Sequence, residues 1–255
     1  MMTTSRIASR LYTLVLIGCV ALAGCSTAPV QKGEIIEPVF PADRILQEGV
    51  VYQGEEIISD PWEGFNRTMY RFNYHFDRYV FLPAVRTYQA ITPDIVEKGI
   101  HNFFRNAQDI TTLINSILQL NVEKTMNTVT RLALNSTVGL LGFIEIADDV
   151  PRSDEDFGQT LGYWGVGPGP YLVLPILGPS SVRDGVGYGV DYLARKEIRD
   201  QLTDLETWQD WTIDILWSLD IRAHTAFRYY ETGSPFEYEL VRMLWTTKRQ
   251  LDVER

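Results

Sequence analysis

Three windows of the chain, residues 110–122, 132–144 and 157–182, contain no Asp, Glu, Lys or Arg. Charged residues make up 22% of the whole, so a 26-residue gap is far from an even scatter. The acids crowd instead into 145–156 and 191–210. Ions are costly to bring into a low dielectric, and segregation of this kind is what a body partly immersed in lipid requires. None of the windows holds an unbroken apolar run of about 18 residues, the least that reads as a spanning helix. A helix over 110–120 is only about 16 Å long, roughly one leaflet's depth. The windows therefore predict shallow embedding rather than spanning. The competing expectation is a water-soluble helical protein whose core gathers these segments.

Within the first window, Ile110, Leu113, Ile114, Ile117 and Leu118 recur at helical spacing, with Thr111, Thr112, Asn115, Ser116 and Gln119 opposite. An amphipathic helix on anionic lipid usually carries Lys and Arg on its polar face. An uncharged polar face can instead line a wet passage or pair with neighbours inside the domain.

Upstream, Asp60-Pro61-Trp62-Glu63 combines an N-cap residue, a proline at the first helical position and an acid three residues after the cap. The aromatic helix that follows, running up to Pro83, should be buried on nearly all sides. A second helix is predicted from Thr92-Pro93-Asp94 towards Phe104, then the amphipathic segment from Asp109, then a helix over 123–135. Residues 139–144 read as a short apolar hairpin, and 157–181, rich in Gly and Pro, as irregular. Helices are expected again over 186–199 and 203–230. The last helix should open on the box Ser234-Pro235-Phe236-Glu237. The fold class expected is all-α, with no substantial sheet.

The N-terminal end has the layout of a secretory signal: Arg6 and Arg10, an apolar core over 11–21, then Leu22-Ala23-Gly24-Cys25. That ending resembles a bacterial lipobox, which predicts cleavage after residue 24 and acylation of Cys25. At about 0.8 kcal/mol per buried methylene, several acyl chains on one residue hardly dissociate. Ser26, rather than Asp, points to the outer membrane. Residues 25–59, with Pro29, Pro38, Pro41 and scattered Gly, are expected to form a flexible tether to a single domain over 60–255.

The chain's formal charge is −10, and removing 1–24 takes away two arginines and no acid, which leaves −12. Such a balance excludes nucleic acid as a partner. No catalytic signature is present. Gly178-Pro179-Ser180-Ser181 lacks the second glycine of a nucleophile elbow, and His75, His101 and His224 show no metal-ligand spacing along the chain. Gly165-Val166-Gly167-Pro168-Gly169-Pro170 is followed by no Lys, and Pro170 lacks a donor, so it is no phosphate loop. No enzyme activity and no cofactor are expected.

The run Asp60-Pro61-Trp62-Glu63-Gly64-Phe65-Asn66-Arg67-Thr68-Met69-Tyr70 resembles the opening motif of the MlaA (VacJ) lipoprotein family. The resemblance continues through Asn135-Ser136-Thr137-Val138-Gly139, Phe157-Gly158-Gln159-Thr160-Leu161-Gly162, the 165–171 run, Leu174-Pro175, Gly178-Pro179-Ser180 and Arg183-Asp184. It implies a ring-shaped helical lipoprotein in the inner leaflet of the outer membrane, pierced by an amphipathic channel. Such proteins remove phospholipids that have strayed into the outer leaflet. They associate with trimeric porins and pass lipid to a periplasmic carrier feeding an inner-membrane ABC transporter. On that basis Phe65, Met69, Phe72, Phe76, Ile110, Leu113, Ile114, Ile117 and Leu118 would face lipid or the channel. Gly139, Leu140, Leu141, Gly142 and Phe143 would form a gate, and Arg67, Arg131 and Arg183 would contact headgroup phosphate. The rival expectation is a structural envelope lipoprotein that stabilises a porin or the membrane.

Overall fold

The computed structural model describes residues 59–254; the signal, Cys25 and nearly all of the tether lie outside the described residues. The fold is mostly helical. In chain order it runs α1 (Glu63–Phe76), a π-helical turn (Asp77–Phe81), α2 (Leu82–Ile91), α3 (Asp94–Leu118), α4 (Val122–Thr137) and α5 (Phe157–Tyr163). Then come β1 (Tyr171–Leu174), β2 (Gly178–Ser181), α6 (Val182–Leu202), α7 (Thr207–Ala223) and α8 (Glu237–Glu254). The two strands form an antiparallel hairpin, with Tyr171 opposite Ser181 and Leu174 opposite Gly178. No described helix is long and apolar enough to cross a membrane.

The inside is polar and the outside is apolar. Among the described residues, 24 polar or charged side chains are buried against eight apolar ones. That is the reverse of an ordinary core. A small apolar cluster of Tyr70, Tyr171, Val173 and Tyr238 sits where α1, β1 and α8 meet. Each long helix turns its polar stripe inward. On α3 the buried positions are Asn102, Asn106, Asp109, Thr111, Thr112, Asn115 and Ser116 with the single apolar Phe104, while Ile114, Ile117 and Leu118 are exposed. On α4, Thr128, Arg131 and Asn135 are buried and Val122, Met126 and Val129 exposed. On α6, Arg183, Asp184 and Asp191 are buried, with Val182, Val186, Val190 and Leu193 outside.

The buried polar groups are joined. Asn115 donates to Asp191 Oδ1 at 3.0 Å and accepts from Thr160 Oγ1 at 2.8 Å. Gln119 donates to Glu155 and Thr160, and Lys124 donates to Glu155 at 2.7 Å. One hydrogen-bonded chain thus ties α3, α4, α5 and α6 together. Burial without such partners would cost about 1–3 kcal/mol per group.

Several elements differ from expectation. The aromatic helix is not buried all round: Asn66, Tyr70 and Asn73 face inward, while Phe65 and Phe72 are exposed. Its inner face reads β1. Asn66 donates to Tyr171 O at 3.1 Å and accepts from Val173 N at 2.8 Å. Two turns on, Asn73 donates to Leu174 O at 2.9 Å and accepts from Ile176 N at 2.7 Å. Two asparagine side chains therefore stand in for a neighbouring strand and close the sheet edge. Asp60 is no cap: it accepts from Asn66, Tyr238 and Arg242. Pro83 does not end the helical run; its ring excludes an ordinary bond to the carbonyl four residues back, and the ladder loosens into the π turn before it.

The expected helices over 92–104 and from 109 are one 25-residue helix, α3. Segment 139–144 is a series of tight turns without strands, in which Leu140 and Leu141 take positive φ. Segment 157–181 contains α5 and both strands rather than irregular chain. The expected helix over 203–230 stops at Ala223. The box at Ser234 does not form, because the Glu237 carboxylate accepts from Tyr70 and Thr232 instead.

Candidate functional site

Three cavities converge on Tyr188 of α6. They measure about 290, 240 and 450 Å³. Spaced three and four residues apart, Tyr188, Tyr192 and Arg195 lie on one face of α6, which borders the first. The second lies between α6, the β hairpin and α8, and carries Asp156, Asp184, Asp191 and Arg249. The third and largest is mainly apolar, walled by Phe76, Phe81, Leu177, Ile221, Phe227 and Trp245, with Asn73, Asp77 and Arg222 among them. A fourth, of about 250 Å³, is lined by Phe103, Ile110, Leu202 and Trp217 and shares Arg195 with the first two.

Almost every cation on these walls is tied to an acid. Arg222 pairs with Asp77, its Nη2 donating at 2.7 Å. Arg199 lies 2.7 Å from Asp214, Lys196 2.6 Å from Asp200, and Arg249 2.8 Å from both Asp156 and Asp184. Burial would raise the Asp156 carboxyl, but the hydrogen bonds from Arg249 hold it below the usual range. Arg195 differs. Its guanidinium stacks over Trp217 at 5.0 Å and donates to Gln108 at 3.4 Å, with no ion pair among the described residues. Burial raises the pKa of Tyr188, so its hydroxyl is a neutral donor beside that cation.

Of the residues expected from the sequence, Phe76 lines the largest cavity and Ile110 the fourth. Met69 packs against the apolar cluster and Leu113 is half-buried. Phe65, Phe72, Ile114, Ile117 and Leu118 lie on the outer surface. The 139–143 turns rest on α3, where Asn106 donates to Leu141 O and Asn102 to Phe143 O. A methyl on Gly142, at φ +96°, would meet the Asn106 side chain at 2.5 Å, so the glycine serves close approach rather than freedom.

The three arginines have protein partners. Arg67 bridges Glu63 and Glu239 and stacks on Tyr238. Arg131, 2% exposed, donates to the carbonyls of Ala147 and Val150 and pairs with Glu145 and Asp109. Arg183 pairs with Asp184 and donates to Val166 O. Sequence reasoning missed Tyr188, Arg195 and Trp245. The helical spacing of the first two, inside a segment where acids and bases alternate, is the one signal that marks them.

Comparison with known proteins agrees with this architecture. The profile of the family described as MlaA lipoprotein matches residues 58–252. An uncharacterised protein of Rickettsia prowazekii is 42% identical over 129 residues, covering 50% of this chain and 51% of the relative. The chain thus spans about half the length of such rickettsial relatives. The intermembrane phospholipid transport system lipoprotein MlaA of Shigella flexneri is 34% identical over 169 residues, 64% of each chain. A structure solved under the description "Structural basis for maintenance of bacterial outer membrane lipid asymmetry" superposes with a TM-score of 0.62 at 29% identity, covering 76% of this chain and 99% of that one. With a match that runs from the first described helix into the last, the chain belongs to the MlaA lipoprotein family.

Proposed function

We propose that this chain is an outer-membrane lipoprotein that removes mislocalised phospholipid from the outer leaflet through the cavities around Tyr188. The observation that carries the reading is the inverted polarity: hydrogen-bonded polar groups inside, apolar stripes outside, and cavities meeting at Tyr188, the largest walled mainly by apolar side chains and the other two sharing the unpaired Arg195. A headgroup crossing bare hydrocarbon loses its hydrogen bonds, at several kcal/mol per group. The Tyr188 hydroxyl and the Arg195 guanidinium replace those partners for the phosphate, while Phe76, Phe81 and Phe227 accept acyl chains. The names of the Shigella flexneri and Escherichia coli relatives support phospholipid as the cargo.

In this account the signal over 1–24 is removed, Cys25 carries the acyl anchor, and residues 25–59 let the body seat in the inner leaflet as a ring. The lipid moves on to a periplasmic carrier that feeds an inner-membrane ABC transporter, and a trimeric porin holds the lipoprotein in place. The chain supplies a path and no bond-making chemistry. The test is outer-leaflet phospholipid in a deletion strain complemented with wild type or with Arg195→Glu, together with mass spectrometry of lipids in gently extracted protein. Wild type restores asymmetry and carries lipid, and the charge reversal does neither. Full restoration by Arg195→Glu, with no lipid in either protein, would leave a structural envelope lipoprotein.

A further inference from the structure

His101 on α3, Asp220 on α7 and His224 just past the end of α7 form a cluster that lines none of the four cavities. His101 Nδ1 lies 3.0 Å from Asp220 Oδ2 and 3.2 Å from Oδ1. His224 Nδ1 lies 3.3 Å from Oδ1 of the same carboxylate. The two rings stack, with centroids 3.6 Å apart. One imidazolium would suffice to neutralise Asp220. As neutral imidazoles the two stacked rings each offer a ring nitrogen beside the Asp220 carboxylate.

That is a two-nitrogen, one-oxygen donor set with net charge −1. It matches the ligands of borderline divalent transition metals. Metal–ligand bonds of about 2.0–2.1 Å in a tetrahedron put neighbouring donors roughly 3.3 Å apart, close to the nitrogen–oxygen spacings here. Asp220 is 2% exposed, whereas His224 is open to solvent and gives an ion a way in. From α2, which packs on α7, the buried Tyr88 hydroxyl has no partner and lies near enough to feel Asp220's charge.

We propose that His101, Asp220 and His224 bind one divalent ion of the zinc class, clamping α7 to α3. Ser218, Ile221 and Arg222 of the same helix wall the first and third cavities, so the ion would fix the wall of the passage. The test uses the purified full chain in detergent, stripped with chelator, with Zn2+ alone as the probe in calorimetric titration and thermal unfolding. One ion binds per chain, and saturating Zn2+ raises Tm by several degrees. His224→Gln, a change at an exposed ring, weakens binding about tenfold or more and removes the Tm shift; Asp220→Asn does the same. Absence of saturable uptake, or uptake and a Tm shift that persist in both His224→Gln and His101→Gln, would overturn the assignment.

Discussion

Asn66 shows how much one side chain can hold in this protein. Its amide both donates to and accepts from β1, in a fully buried position. Truncating it leaves a strand carbonyl and an N–H without partners, each worth about 1–3 kcal/mol. Asn66→Ala is expected to lower stability by about 2–4 kcal/mol, read as a drop in Tm, and Asn66→Asp, which turns a buried carboxylate towards Asp60 and the Tyr171 carbonyl, loses at least as much. At Asp109 the balance runs the other way. Burial pushes its carboxyl up to about 6, outweighing Arg152 at 2.9 Å and Arg131 at 3.7 Å. A folded-state pKa above the unfolded value means that the folded chain binds the proton more tightly. Asp109 therefore makes stability fall as pH rises from about 4 to about 6, with no further change above. In Asp109→Asn that component vanishes, and unfolding free energies measured across pH 4–6 should show a difference from wild type that grows with pH. These buried polar residues were barely legible in the sequence. The Thr, Asn and Ser face of 110–120 was visible as uncharged, but nothing in its spacing says that Asn115 meets Asp191, 76 residues away.

Helices α5 and α6 cross where Gly158 meets Gly187. A methyl on Gly187 would sit 2.3 Å from the Gly158 nitrogen, so Gly187→Ala must push the two backbones apart. Overpacking of this kind costs about 1–3 kcal/mol, and thermal unfolding should report it. On the proposed function, the turns over 139–143 act as the gate. A disulfide between Asn106→Cys and Leu141→Cys should fix them to α3 and abolish lipid removal, leaving folding and porin association intact. Lipid removal by the locked protein, measured as outer-leaflet phospholipid, would make the turns packing alone. The helical type of most segments followed from periodicity, but not their starts: Asp60 is no cap, the Ser234 box does not form and α5 was not expected. The merging of α3 did not follow either, because Arg105 and the buried Asp109 put charges in its middle whose partners, Glu145 and Arg152, come from a distant loop. The β hairpin was hidden by its prolines, and its edge is completed by side chains of α1 rather than by a third strand.

For the whole molecule, burial of polar stripes is stable only if the exposed apolar stripes are themselves taken out of water. Val186 and Leu193 on α6, Trp208 and Trp211 on α7, and Ile117 on α3 are all exposed, among many large apolar side chains on the surface. The tryptophans suit the interface between headgroups and chains. The charge-free windows disclosed only part of this surface, Ile117 among the residues named, and left open which face of each helix meets lipid. The most direct measurement of the central claim places a photoreactive phenylalanine analogue at Tyr188 of the full-length protein in cells. The account predicts that irradiation yields a covalent adduct with the mass of a phospholipid in protein that still maintains asymmetry. The same functional protein without any lipid adduct at this position would contradict it.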